Sequence, residues 1–255
     1  EGLFLLAADQ AGAPLAPSPA YWRDFATQYL TALCHVPEST GGAWEAVAPP
    51  GEEDLARLAS CVPPMPGAEY VNAAALAECT LGAAKGLLNC LYLTIGTGIG
   101  GGLFCEGQLV HGLMHPEWGH MLIARHEDDP LLNGVCPYHP NCAEGFASGP
   151  SIQTRWGIPA KDLPPDHRGW ELEAFYLGQL CVNALMTVSP EVIILGGGVM
   201  HQESLLPMVR QTVLKLINGY IDAEQLPSME EFIKAPALWP DSGLVGAALL
   251  AKKLV

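Results

Sequence analysis

Positive charge is what this chain has least of. Its 255 residues carry 12 lysines and arginines against 27 aspartates and glutamates, a formal net charge of -15. Binding nucleic acid or an anionic membrane surface requires clustered Lys and Arg to meet phosphates, so those partners are excluded. Long apolar runs are missing as well. No stretch approaches the ~20 residues of a membrane-spanning helix. The apolar patch Leu3–Ala8 is too short, and lacks the basic flank, for a secretory signal. Charged residues make up only 15% while apolar ones reach 49%, which describes a globular chain with a sizeable core. The length allows one large domain or two modest ones.

Cysteine is present but too sparse for a disulfide scaffold, at 8 in the whole chain. Cys34, Cys61, Cys79, Cys90, Cys105 and Cys181 are scattered among apolar neighbours and read as reduced core thiols. A cytoplasmic setting is the expectation that follows.

The remaining two cysteines carry the most information. Cys136-Pro-Tyr-His139-Pro-Asn-Cys142 alternates Cys, His and Cys at every third residue, and His120 lies ahead of Cys136 with 15 residues between them. Zinc takes four tetrahedral nitrogen and sulfur ligands, and His120, Cys136, His139 and Cys142 supply that set. Four protein ligands leave no open position, so the metal reads as structural; a zinc hydrolase would need such an opening. Glu117 precedes His120 and Glu144 follows Cys142, so the metal would gather Glu117, His120 and Glu144 into one polar cluster.

Strands alternating with helices indicate an α/β chain. A hairpin is expected within Leu3–Ala16, and helices over Tyr21–Leu33 and Glu52–Ala59. Ala73–Leu81 is a helix, Leu91–Ile95 a buried strand, and Gly96–Gly102 a glycine loop. Leu103–Cys105 and Gln108–His111 are short strands around Glu106-Gly107. Trp170–Val188 is a long helix, Val192–Leu195 a buried strand, Ser204–Tyr220 and Gly243–Leu254 further helices. Four smaller features read as structural. His111 and His115 are exposed loop histidines, and Arg125–Asp129 is a solvated loop. Trp156 belongs to the core, and Asp241 caps the last helix.

Gly96-Thr97-Gly98 opens a run resembling GxGxxG, yet the residues lead into a strand and not a helix, so this is a β-hairpin. It is either a tight turn or a place where backbone N–H groups reach phosphate oxygens. Gly196-Gly197-Gly198 lies where a buried strand meets a helix, and is either a packing turn or a nucleotide site.

Five motifs occur together and in order: Thr94–Gly102, His115–His120, Cys136–Cys142, Glu144-Gly-Phe-Ala-Ser-Gly-Pro150 and Leu195-Gly-Gly-Gly-Val-Met200. From about Asn72 to Val255 the chain resembles the bacterial ROK-family sugar kinases, fructokinase branch. That resemblance implies an actin-like (ribonuclease H-like) α/β fold of two lobes with an abbreviated small lobe. It implies ATP-dependent phosphorylation of a hexose, most simply fructose to fructose 6-phosphate, with Mg²⁺. Glu117, His120 and Glu144 would meet sugar hydroxyls, and His120, Cys136, His139 and Cys142 would bind Zn²⁺. Gly96, Thr97 and Gly98 would contact the ATP phosphates, and Gly196, Gly197 and Gly198 the adenosine side. A homodimer is implied too. The small lobe would span residues 1–88, with 243–255 packing back on it, and the large lobe residues 89–242.

The first seventy residues depart from the pattern. A Gly-Gly-Thr-Lys phosphate loop has no counterpart ahead of Leu3, and Gly41–Trp44 is an isolated likeness. Tyr70 stands where the family has the aspartate that acts as general base. Glu69 is adjacent, but on an extended segment it would face the other way. A tyrosine is a poor base at neutral pH, so a sugar-binding pseudokinase or sensor is the alternative.

Overall fold

The computed structural model describes residues 67–221 and 225–254. The elements expected over Leu3–Ala16, Tyr21–Leu33, Gly41–Trp44 and Glu52–Ala59 lie outside the described residues.

Helix α1 (Gly67–Thr80) leads into β1 (Cys90–Ile95), β2 (Ile99–Cys105) and β3 (Gln108–Leu109). Short helices α2 (Ala143–Ala147) and α3 (Gly149–Trp156) precede the long α4 (Gly169–Val188). Then follow β4 (Val192–Gly196), α5 (Leu205–Ile217), α6 (Met229–Phe232), β5 (Ile233–Lys234) and α7 (Ser242–Leu254). The strands form one sheet in the order β3-β2-β1-β4-β5. β1 is antiparallel to β2 and parallel to β4, which is parallel to β5.

Side chains alternate across the sheet, as a strand requires. Leu91, Leu93, Ile95, Ile193 and Leu195 join a large core with α4 and α5 on one face. Cys90, Tyr92, Val192 and Ile194 join a smaller core with Val71, Ala75 and Leu76 of α1 on the other. Both faces are covered, which explains why β1 and β4 are apolar throughout. α1 is in turn covered by α7, so Ala73, Ala74, Ala75 and Ala77 are buried on every side. The two helices come so close that a β-carbon on Gly246 would overlap the Ala73 carbonyl.

The glycine run behaves differently from its expected loop. Only Gly96–Gly98 turn; Gly100, Gly101 and Gly102 are strand residues of β2, paired with Thr94, Leu93 and Tyr92. Their lack of side chains serves packing. A β-carbon on Gly100 would sit 2.8 Å from Val71, one on Gly102 would sit 2.7 Å from Ala75, and one on Gly101 would overlap Trp118. Strand β2 is thus glycine-rich because α1 and Trp118 press directly on its two faces.

Three further expectations are corrected. α1 starts at Gly67, so Glu69 and Tyr70 lie on helical backbone and not on an extended segment. Proline has no N–H to place in a helix, and the chain can enter one directly after Pro66. α5 ends at Ile217 because Asn218 turns left-handed (φ 49°), three residues before the expected stop at Tyr220. Cys79 and Cys90, expected as separate thiols, form a disulfide between the end of α1 and the start of β1. Their 11-residue separation gives no hint of this; only the packing of α1 on the sheet brings them together. Cys105 and Cys181 are free, as expected.

One buried carboxylate locks this side of the molecule. Glu78, on α1, accepts from the N–H groups of Ala83 (2.8 Å), Ala237 (3.1 Å) and Leu238 (3.0 Å), and from the Ser242 hydroxyl (2.7 Å). It fastens the segment after β5, and the first residue of α7, to α1. Among the described residues no helix is long and apolar enough to cross a membrane.

Candidate functional site

Because β1, β4 and β5 run parallel, their carboxyl ends share one edge of the sheet. Gly96-Thr97-Gly98 leaves β1 there, and Gly196-Gly197-Gly198 leaves β4 beside it, with Thr94 paired to Gly196. Gly197 adopts φ 95° and lies so close to Ile95 that a β-carbon would overlap that residue's backbone. The two glycine turns, about a hundred residues apart in sequence, are therefore neighbours. Thr97 and Gly198 are exposed, and nothing lies within 4 Å of a β-carbon placed on Gly96 or Gly198. Ligands of open α/β sheets bind at this carboxyl edge. A 3-10 turn, Gly198–His201, separates β4 from α5.

The first turn is held from outside. Gly96 accepts from the N–H of Gly149, at the start of α3, at 2.7 Å. Ile99 donates its N–H to Oε2 of Glu144, on α2, at 2.9 Å. Glu144 is half-buried, and among the described residues its other oxygen has no hydrogen-bond partner. Trp118, buried against Gly101, brings Glu117–His120 onto the same strand.

The candidate metal-ligand set assembles through backbone pairing. Leu122 and Cys142 form an antiparallel bridge, with Ile123 donating to Asn141 O and Ala143 to Met121 O, both at 2.9 Å. This small ladder closes the gap between His120 and the Cys-His-Cys run. Donor atoms of His120, Cys136, His139 and Cys142 all lie within 4.8 Å of one another. Nδ1 of His120 is 3.9 Å, and Nδ1 of His139 3.8 Å, from the Cys136 sulfur. Four ligands at zinc bond lengths of ~2.0–2.3 Å stand roughly 3.3–3.8 Å apart at tetrahedral corners, so the donor set fits. Burial pushes the Cys142 thiol up to about 11, and Cys136 adds to the rise, although the Gly145 N–H pulls it down. A cation at this point removes the cost of burying the thiolate. Cys142 also caps α2, its sulfur accepting from Gly145 N–H at 3.4 Å. The last metal-ligand candidate is thereby the N-cap of the helix that carries Glu144.

Two surface assignments are overturned. His115 is not a free loop histidine: its Nε2 is shut off from solvent and lies 2.8 Å from Oε1 of Glu117, without the alignment of a hydrogen bond. His111 is exposed, as expected. Asp129, read as part of a solvated loop, is buried. It takes Arg155 Nε at 2.9 Å on one oxygen and the Tyr176 hydroxyl at 2.6 Å on the other. Arg125 reaches back to the backbone carbonyls of Asp129 and Leu131.

Trp156 packs at the core margin, edge-on to His167 and beneath Arg168. The Asp241 carbonyl accepts from Val245 at the start of α7, and Ser242 beside it is taken by Glu78.

Glu78, Arg155 and Glu173 were missed by sequence reasoning. Glu78 and Glu173 each break an apolar helical stripe, Glu173 lying between Trp170 and Leu177 on α4, and that interruption was the available signal; Arg155, on the polar helix α3, gave none. A cavity of about 670 Å³, lined by Lys85, Leu87, Pro190, Glu191, Leu226 and Lys234 among others, opens at the opposite end of the strands. It is remote from both glycine turns.

Known proteins resemble this chain over most of its described length. The ROK family model matches residues 64–254. A putative fructokinase of Bacillus subtilis (strain 168) is 48% identical over 182 residues, covering 71% of this chain and 60% of that protein. A fructokinase of Zymomonas mobilis is 43% identical over 183 residues, with the same coverage of 71% and 60%. The chain thus spans about 60% of the length of these curated relatives. The crystal structure of a ROK family glucokinase from Streptomyces griseus, in complex with glucose and AMPPNP, superposes with a TM-score of 0.56 at 25% identity. It covers 72% of this chain and 67% of that one. The α/β, actin-like architecture is the one expected. The chain belongs to the ROK family.

Proposed function

We propose that this chain works as an ATP-dependent hexose kinase whose sugar is fructose, phosphorylated at its 6-hydroxyl. The observation that carries the reading is the meeting of Gly96–Gly98 and Gly196–Gly198 at one sheet edge, with Glu144 reaching the first of them. Fructokinase relatives at 48% and 43% identity support the sugar. The glucokinase solved with glucose and AMPPNP supports a hexose and a nucleotide as the ligand pair.

In this reading the Gly96-Thr97-Gly98 turn meets the ATP phosphates through the N–H groups of Thr97 and Gly98, the Gly96 N–H being taken by the Gly98 carbonyl, and Gly196, Gly197 and Gly198 line the adenosine side. Mg²⁺ arriving with the nucleotide supplies charge neutralisation on the phosphates. Glu117 and Glu144 accept hydrogen bonds from sugar hydroxyls. His120, with one ring nitrogen toward the metal, keeps the other for a hydroxyl. His120, Cys136, His139 and Cys142 suit a structural Zn²⁺, since four protein ligands fill a tetrahedral shell. The lobes divide near residue 88, with 243–255 counted with the first, and their closure excludes water from the phosphoryl group. A homodimer in the cytoplasm is the assembly and setting that the resemblance implies.

Tyr70 favours a second reading, sugar binding without turnover. Loss of a positioned base removes roughly 10²–10⁴ in rate. A coupled assay with fructose, mannose and glucose, run on this chain and on Tyr70→Asp, separates the two. Turnover appearing only in Tyr70→Asp identifies a binding protein with an impaired base. Neither ATP-dependent phosphorylation nor sugar binding by calorimetry in either chain would sink the kinase reading.

A further inference from the structure

Glu144 sits between two groups of residues that the kinase reading gives to different ligands. Its Oε2 accepts the Ile99 N–H at 2.9 Å, one residue beyond the Gly96–Gly98 turn. Its Oε1 has no hydrogen-bond partner among the described residues, and the carboxylate is half-buried and so reachable. The turn has few other supports: Gly96 accepts from Gly149 N–H and donates to Gly98 O, while Thr97 is exposed. Glu144 itself is anchored firmly, on a helix capped by Cys142 and tied by Gly145 O to Val135 N–H at 2.8 Å.

We propose that Glu144 couples the sugar and nucleotide sites: Oε2 holds the glycine turn through Ile99 while Oε1 takes a hexose hydroxyl, so that bound sugar tightens nucleotide binding. The inference rests on the kinase reading and adds a mechanism to it. A free carboxylate on a two-bond tether samples several rotamers. A hydroxyl donating to Oε1 removes most of them and leaves Oε2 facing Ile99. The turn is then ordered before the nucleotide arrives, and the nucleotide no longer bears that ordering entropy. Linkage makes the effect reciprocal, so nucleotide must tighten sugar by the same factor.

Gly98 supplies the separating variant. A β-carbon there would sit 2.6 Å from Oε2 of Glu144, so Gly98→Ala displaces the carboxylate from Ile99 while keeping its charge. Calorimetry on the full chain would measure the Kd of MgADP with and without saturating fructose, and of fructose with and without MgADP. The expected result is a factor of about ten in both directions, falling to near one in Gly98→Ala; because Gly98 faces the phosphates and Glu144 the sugar, each Kd also rises in that variant, and the ratio with and without the second ligand is what is read. A second readout needs no variant: fructose alone should slow hydrogen exchange at the Ile99 amide. Fructose and MgADP binding independently, or an Ile99 amide indifferent to fructose, overturns the coupling. Failure of the unmodified chain to bind either ligand overturns the kinase reading, and the coupling falls with it.

Discussion

Nε of Arg155 lies 2.9 Å from Oδ1 of Asp129, and neither side chain has any exposed surface. The same guanidinium donates from Nη2 to the Phe146 carbonyl at 2.8 Å. The Asp129 carboxylate meanwhile takes the Tyr176 hydroxyl, which itself accepts the His126 N–H at 3.2 Å. One ion pair therefore ties the 125–131 loop, α2, α3 and α4 together beneath the knuckle. Attraction between buried charges barely exceeds their desolvation cost, but removing one partner strands the other. Asp129→Ala should lower stability by about 3–5 kcal/mol. The double variant Asp129→Leu/Arg155→Met should recover much of that. Urea denaturation of all three proteins measures it, and a double variant worse than the single one contradicts this account.

Glu173 gives this cluster a pH signature. It is fully buried, and neither carboxyl oxygen has a hydrogen-bond partner among the described residues. Burial raises its pKa well above the ordinary carboxylate range, against the pull of Arg155. Asp129 is shifted the other way: burial pushes it up, but the hydrogen bonds from Arg155 and Tyr176 hold it below its usual value. The two groups therefore act at opposite ends. Asp129 contributes stability above about pH 3.9 that is lost as pH falls through its lowered pKa. Glu173 contributes stability below about pH 4.3 that is lost as pH rises toward its raised pKa. Glu173→Gln should accordingly be more stable than the unmodified chain at pH 7, with the advantage gone below about pH 4.3. Denaturant midpoints measured from pH 4 to 7 would be parallel for the two proteins if this is wrong.

The knuckle predicts bound metal. Elemental analysis of pure protein should find one zinc per chain, and a strong chelator should lower the thermal midpoint. Cys142→Ala should lose metal and native structure together, because ligands gathered from His120 and from residues 136–142 depend on the ion to stay together. Retention of the full thermal midpoint after complete zinc removal is the outcome that defeats a structural role.

Two glycines at opposite ends of one motif should respond differently to the same change. A β-carbon on Gly101 would overlap Trp118 and sit 2.8 Å from Leu93, whereas one on Gly96 meets nothing within 4 Å. Gly101→Ala should cost about 1–3 kcal/mol of stability through overpacking. Gly96→Ala should stay within about 0.5 kcal/mol of the unmodified chain while raising the KM for ATP, as its methyl group keeps phosphate from the backbone. A Gly96→Ala protein with normal stability and unchanged KM would show that the turn touches no nucleotide.

Much of this was legible in the residues themselves. The donor types and spacing of Cys136, His139 and Cys142 predicted that they cluster, and they do, because three side chains on one short segment need no tertiary help to come close. The apolar runs Leu91–Ile95 and Val192–Leu195 declared strands covered on both faces. Helical spacing placed α4 within a residue of its true start. The family motifs singled out Glu117, His120 and Glu144 as well, and the structure brings Glu144 to the first glycine turn.

Other features depended on which distant segment arrived where. Gly100–Gly102 read as a loop because glycine favours turns; they are strand because α1 and Trp118 need the space. Asp129 read as solvated because its neighbours are charged; it is buried because α3 brings Arg155 and α4 brings Tyr176. Periodicity reports which face of an element is apolar and spacing reports which ligands can share an ion, since both are properties of one stretch of chain. Whether a carboxylate is buried, or two turns about a hundred residues apart share an edge, depends on strand pairing and helix packing. Those follow from the whole set of contacts, so only the folded molecule decided them.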